Sequence, residues 1–242
     1  MITLYGVGPA FGLPETSPYV TKTEVQLQMA GLAYVKRRSA PADSPKGQLP
    51  YIEDEGEWIA DSTFIRAYLE RKYGLDLDDG LDARQRAEAW AVERMVENHF
   101  AWTAGYARFF IPENFDKGPA HFFDQAPADQ RPRMIEDFKG RVAEAFRAVG
   151  ITRHAPEEIE WLGERSLTAL AEILGDKAYL MGSRPCGADA VTFAALAAVL
   201  TPFFDSPLRR RAEGFANLVA YVERMMAQFY PDFAWKRVPE PA

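Results

Sequence analysis

The chain has 242 residues, 48% of them hydrophobic, 26% charged and 13% aromatic, a balance that suits a globular protein with a sizeable core. Its formal charge of −7 argues against a nucleic-acid ligand, which is gripped by clustered Lys and Arg. A single cysteine, Cys186, excludes an internal disulfide and any paired-cysteine redox or zinc motif, and suits a reducing, cytoplasmic compartment.

Taken in chain order, residues 2–6 read as a first strand, because the opening residues lack the charged and long apolar regions of a signal peptide. A loop dense in Gly and Pro follows, Gly6 to Thr16. Its glycines invite a dinucleotide-binding reading, but Phe11 stands where the third glycine is needed and Pro9 and Pro14 oppose a helix there. The first helix is expected to start at Ser17-Pro18, serine as N-cap and proline in the first turn, and to stop at Gly31. Strands are predicted over 33–37, 50–53 and 58–60, the last two joined by an Asp54-Glu55-Gly56 turn. Asp61 and Ser62 then open a helix carrying Phe64, Ile65, Tyr68, Leu69 and Tyr73 at helical spacing, closed by Gly74. Beyond the polar linker 77–84 the pattern is helical, near 82–110, 128–149, 156–175, 187–201 and 215–229, with a poorly regular stretch from Pro112 to Pro127 and a frayed tail, 236–242. The most apolar run, Ala190 to Leu200, is too short to span a bilayer. The expected architecture is a compact α/β domain over 1–76 and an all-helical domain over 85–235.

Two stretches carry the chemistry. Leu49-Pro50 enters a short strand, and proline there suits a cis bond or a sheet edge, leaving the N–H and C=O of Leu49 open to a peptide-like ligand. The helix start at Asp61-Ser62 offers free N–H groups beside that strand, a setting that binds carboxylates. Among bland alternatives, Pro50 can simply shape the domain and Asp61 can simply cap its helix. His99, His121 and His154 are scattered, so no metal site is expected. Arg209 to Arg211 reads as a solvated helix face.

In combination these residues resemble glutathione transferases, whose fold pairs a thioredoxin-like N-terminal half with an all-helical C-terminal half. Lys46-Gly47-Gln48-Leu49-Pro50-Tyr51-Ile52 is similar to that family's G-x-[VL]-P-x-[LI], and Asp61-Ser62 to its [EQ]-S pair. Tyr179 to Gly182 with Cys186 to Asp189 is similar to its Y-[LF]-x-G…[ST]-x-A-D, with cysteine in place of the capping Ser or Thr, which leaves Asp189 to carry more of that helix start. Within the superfamily, Ala60-Asp61-Ser62, Pro202 to Pro207 and Met225 to Pro231 resemble the failed-axon-connections and metaxin-like branch, whose members need not be enzymes.

The resemblance implies glutathione as co-substrate, with Leu49 meeting its cysteinyl backbone, Asp61 and Ser62 its γ-glutamyl end and Lys46 its other carboxylate. Ser17 replaces the cysteine of a Cys-Pro-Tyr motif, so it cannot exchange disulfides, but its hydroxyl can hydrogen-bond a thiolate held over a helix N-terminus. Equally, Ser17 can serve only as a cap. The acceptor pocket is expected from Phe11, Trp102, Tyr106 and Phe109, an aromatic set that can also be core. A homodimer and a small electrophile as second substrate are implied, with no membrane span. The competing expectation is a non-enzymatic interaction module on the same fold.

Overall fold

In a computed structural model that describes residues 1–235, a four-stranded sheet with helices is followed by an all-helical half. The expected frayed tail, 236–242, lies outside the described residues. Strands β1 (Ile2–Gly6), β2 (Tyr34–Arg38), β3 (Tyr51–Asp54) and β4 (Glu57–Ala60) are ordered β2-β1-β3-β4, with β1 and β2 parallel and β3 and β4 antiparallel to their neighbours. The parallel pair requires a crossover, which helix α1 (Pro18–Met29) supplies. Tyr5 pairs with Tyr51, and Tyr51 with Ala60. That register brings the ends of three strands together, so Val7, Pro50 and Asp61 leave the sheet from one edge.

Helix α1 is covered on both sides. Val20 and Leu27 pack with Ile2, Leu4, Ile52 and the residues Ile65 and Leu69 of α2 (Ser62–Tyr73). Val25 packs instead into the core of the helical half, beside α8 (Gly187–Leu200). Full burial of each such side chain contributes roughly 1.5–3 kcal/mol. Between these apolar positions the same helix buries Lys22, whose Nζ lies 2.6 Å from Glu93 Oε1 and 2.6 Å from Glu97 Oε1. Arg94 reaches Glu97 Oε2 at 2.6 Å, and Arg66 reaches Glu93 Oε2 at 3.4 Å. A paired charge cluster therefore fills the seam between sheet and helices, where an unpaired ion would be too costly to bury.

The helical half holds α3 (Ala83–Met95), α4 (Ala101–Phe110), α5 (Pro112–Lys117), α6 (Arg131–Ala148), α7 (Pro156–Leu174), α8, α9 (Pro207–Glu213) and α10 (Ala216–Phe229). The helix expected over 82–110 is interrupted by a π turn, Val96–Phe100. The stretch expected to be irregular is ordered as α5 and a 3₁₀ turn, Pro119–Phe123. Helix α9, capped by the Ser206 side chain accepting from Arg209 N–H at 3.0 Å, carries the helix face expected at Arg209 to Arg211 but lies outside the helices bounded from sequence. At the buried start of α8, Asp189 accepts from the N–H groups of Cys186 at 2.8 Å and Leu180 at 3.0 Å and from the Tyr221 hydroxyl at 2.9 Å. Cys186 gives no side-chain cap, and burial first, then Asp189, pushes its thiol up. Asp78, in the stretch between the halves, accepts from Gly187 N–H at 2.9 Å and pairs with Arg66 at 2.6 Å.

The hairpin that presents β4 turns through Glu55 and Gly56, both at positive φ (53° and 87°), which suits the right-handed twist of the strands. Asp54 closes its base. Burial alone would push the Asp54 carboxyl up, but hydrogen bonds from Lys72, Tyr73 and Tyr68 outweigh it and hold the carboxyl below its ordinary value. A lowered carboxyl contributes stability that is fully present above the unfolded value, about 3.9, and is lost as pH falls through the folded one. Urea midpoints of wild type and Asp54→Asn are thus expected to converge as pH drops below about 4. A gap that stays constant down to the lowest pH would overturn this assignment.

Candidate functional site

At the sheet edge, Glu15 organises the first loop. Its buried carboxylate accepts from Val7 N–H at 3.2 Å, from Gly8 N–H at 3.0 Å and from Ser17 N–H at 3.2 Å, with Lys36 at 3.4 Å. Thr16 adds a hydroxyl bond to Gly8 O at 2.8 Å. The loop is thereby pinned, and Phe11 and Leu13 are both buried. Phe11 sits at φ 58°, held by Thr201 Oγ1 donating to its carbonyl at 2.6 Å.

This scaffold fixes Ser17 as N-cap of α1. Its Oγ lies 3.5 Å from Val20 N, the outer limit of a hydrogen bond, and its O–H has no acceptor among the described residues. Thr16 is committed to Gly8, so Ser17 carries the uncommitted hydroxyl at this helix start. Tyr19 donates to Glu97 O at 3.3 Å. Burial, with the Glu97 charge second, pushes its phenol up to about 12, so Tyr19 stays protonated near neutral pH.

Ser17 opens onto a cavity of about 370 Å³ whose walls include Trp102, Arg108 and Phe109 of α4, Phe146 of α6, Val199 of α8 and Phe204. Of the residues expected there, Trp102 and Phe109 line it. Tyr106 lies outside the lining, stacked on Phe110 with centroids 5.0 Å apart. Phe11 also lies outside it, against the back of Phe204, 5.0 Å away.

The second group stands at the other strands leaving the same edge. Leu49-Pro50 is cis, and neither the N–H nor the C=O of Leu49 is taken among the described residues. Pro50 O accepts from Asp61 N–H at 3.1 Å, which ties β3 to the start of α2. Asp61 holds φ 81°, a conformation costly for a side-chain-bearing residue. Its Oδ1 caps Thr63 N–H at 2.9 Å and its Oδ2 accepts from Gln48 Nε2 at 3.0 Å. Ser62 is buried as a residue, yet its hydroxyl has no partner among the described residues. Lys46 is exposed, with Nζ 3.9 Å above the Phe64 ring. Asp61 also contributes to raising the Tyr19 phenol, so the two groups share one electrostatic neighbourhood.

Besides the wall residues Phe146, Val199 and Phe204, two polar residues, Glu15 and Arg108, are absent from the sequence-based expectations. Glu15 hides in a loop that looks unstructured, and only its neighbours' N–H groups reveal it. Arg108 did leave a signal, a cation inside the aromatic stripe Trp102, Tyr106, Phe109.

Residues 18–114 match the glutathione S-transferase N-terminal domain and residues 163–225 the glutathione S-transferase C-terminal domain. Failed axon connections of Drosophila melanogaster is 36% identical over 96% of the chain, which spans 59% of that protein's length. The isoprene-epoxide glutathione S-transferase of Rhodococcus sp. (strain AD45) is 32% identical, with 95% of this chain and 99% of that one covered. Among solved structures, a beta-etherase of Sphingobium sp. strain SYK-6 shares the fold at a TM-score of 0.68 and 18% identity, covering 96% and 99% of the two chains.

Proposed function

The chain belongs to the glutathione S-transferase family, and from that premise we propose that it is a serine-type glutathione transferase acting on a small electrophile. The observation that carries this reading is the uncommitted Ser17 hydroxyl, at a helix N-terminus and opening onto an apolar cavity. Glutathione lies along the sheet edge. Its cysteinyl backbone pairs with the open N–H and C=O of Leu49, as an added strand would. Its γ-glutamyl carboxylate meets Ser62 and the start of α2, and its ammonium meets Asp61. Lys46 reaches its other carboxylate by leaving the Phe64 ring. The sulfur comes to Ser17, which donates a hydrogen bond that favours thiolate over thiol.

The small epoxide named in the Rhodococcus relative is the electrophile to test first. Sulfur bonds to one epoxide carbon, the carbon–oxygen bond breaks, and the alkoxide takes a proton from water. In this reading glutathione is held by residues 1–76, the electrophile mainly by 85–235, and 77–84 joins them. The protein acts as a cytoplasmic homodimer. No helix among the described residues is long and apolar enough to cross a membrane.

The test is calorimetric titration with reduced glutathione. Dissociation in the micromolar to low-millimolar range, roughly −8 to −4 kcal/mol, is expected. Asp61→Ala is expected to weaken it about tenfold or more, through loss of one charge-assisted contact. Absence of heat in the wild-type protein would favour the second reading, a non-enzymatic module of the metaxin or failed-axon type. The 36% identity to Failed axon connections is what supports that alternative.

A further inference from the structure

Arg108 is the one group in the cavity wall whose chemistry the reading above leaves idle. It is carried by α4 and lines the cavity together with Trp102 and Phe109 of the same helix. Its Nη1 donates to Thr16 O at 3.1 Å, and its Cζ lies 5.5 Å from the Phe11 ring centroid and 5.1 Å from that of Phe204. No carboxylate among the described residues pairs with it. The other cations of the seam among the described residues do have one, the buried Lys22 two and the half-buried Arg66 and Arg94 three and two. Burial lowers the Arg108 guanidinium to about 10, which still leaves it charged at neutral pH.

A half-buried cation held by one carbonyl and two ring faces keeps most of its five donors unused. Burying charge without a counter-ion is costly, and the cost is recovered when a ligand brings the missing anion. The bond of Arg108 to Thr16 sets its guanidinium one residue from Ser17, and the Phe11 and Phe204 rings lie beside it.

We propose that Arg108 selects the electrophile, and that the second substrate is an aromatic or branched apolar molecule carrying one carboxylate, seated with its apolar body against Trp102 and Phe109. This inference rests on the transferase reading for the reaction but not for the binding. The planar fork of Arg108 takes a carboxylate bidentately, while the rings beside it accept the apolar remainder. The reaction itself is unchanged, with sulfur bonding to the electrophilic carbon and the leaving or opening group departing from that carbon. The carboxylate takes no part in bond making.

The experiment measures binding without turnover, by calorimetry on the full chain with 2-naphthoate and with its uncharged isostere 2-naphthamide, each with and without saturating glutathione. In the wild-type protein the carboxylate is expected to bind at least about tenfold more tightly than the amide, which is 1.4 kcal/mol. In Arg108→Met that preference is expected to vanish while the amide binds as before, and Arg108→Lys is expected to restore part of it. Equal binding of the two probes by wild type overturns the proposal, and needs no variant to fold. A ratio unchanged in a folded Arg108→Met also overturns it. So does a glutathione thiol that becomes as hard to ionise in Arg108→Met as in Ser17→Ala with no loss of naphthoate preference, since Arg108 would then serve the sulfur. Failure of the glutathione reading shows separately, as naphthoate preference in a protein that gives no heat with glutathione.

Discussion

Ser17→Ala is expected to lower turnover with glutathione by about 100-fold or more, the scale set by removing one preorganised donor from a developing or resident anion. The alanine keeps the helix start, since Ser17 Oγ contributes only a 3.5 Å contact to Val20 N–H and Pro18 stands in the first turn regardless. Loss of folding is therefore not the expected route to lost activity. Glutathione affinity is expected to hold, because the proposed pose gives the backbone and γ-glutamyl end to Leu49, Asp61 and Ser62 rather than to Ser17. What changes is ionisation. Lowering a thiol by about two units from roughly 8.5 requires about 2.7 kcal/mol of preference for the thiolate, within reach of one hydroxyl and a helix end. Ultraviolet titration of the bound thiolate in wild type and Ser17→Ala reads that preference directly, and coincident titration curves would remove Ser17 from the mechanism. Tyr19 is a poor substitute, as its hydroxyl already donates to Glu97 O.

Lys22→Met is expected to produce the largest loss of stability, about 3 kcal/mol, the lower end of the cost of breaking a buried ion pair. Lys22 is fully buried, and both its acceptors are nearly so, Glu93 at 2% and Glu97 at 7% side-chain exposure. Methionine fills the volume but leaves two carboxylates short of a cation. Arg94 and Arg66 remain on them, which keeps the expected cost from reaching the upper end. Urea unfolding with an unchanged slope and a lower midpoint is the expected record. Adding Glu93→Gln to Lys22→Met is expected to recover part of the loss, because one carboxylate goes with the lysine while Arg94 keeps Glu97 and Arg66 keeps Glu70 and Asp78. A change below about 0.5 kcal/mol in the single variant, the range of ordinary surface substitutions, would contradict the account.

The sheet half was legible because its signals are local. Ser17-Pro18 marks a helix start, Gly31 and Gly74 mark helix ends, and Asp54-Glu55-Gly56 marks a hairpin, each by its own backbone preference. The helices α5 and α9 were not legible in that way. Both are short, and Phe115 and Leu208 are held by tertiary burial rather than by a long periodic face. Lys22 illustrates the same limit from the other side. In sequence it is one lysine on a helix, and its partners lie 71 and 75 residues away. Of the site, the Leu49-Pro50 and Asp61-Ser62 pairs announce themselves through backbone chemistry. Trp102 and Phe109 could be placed on a face but not on a cavity, and spacing alone could not separate them from Tyr106, which packs on Phe110 instead.

The π turn at Val96–Phe100 gives the chain an unusual pattern of tolerance to insertions and deletions. A π turn holds one residue more than the α-helix around it, and each residue turns the following face by about 100°. Before it, Glu93 faces the charged seam with α1; after it, Trp102, Arg108 and Phe109 face the cavity. A length change in the exposed connection 124–130, ahead of α6, alters a surface turn and little else. One residue removed from 96–100 relaxes the helix to regular geometry and leaves the following face in phase, whereas one removed from 101–107 turns Arg108 and Phe109 by about 100° against the start of α4. Descendants of this sequence are therefore free to drift in loop length and by one residue within the π turn, while a gap inside 101–107 would re-aim the cavity wall without changing the fold.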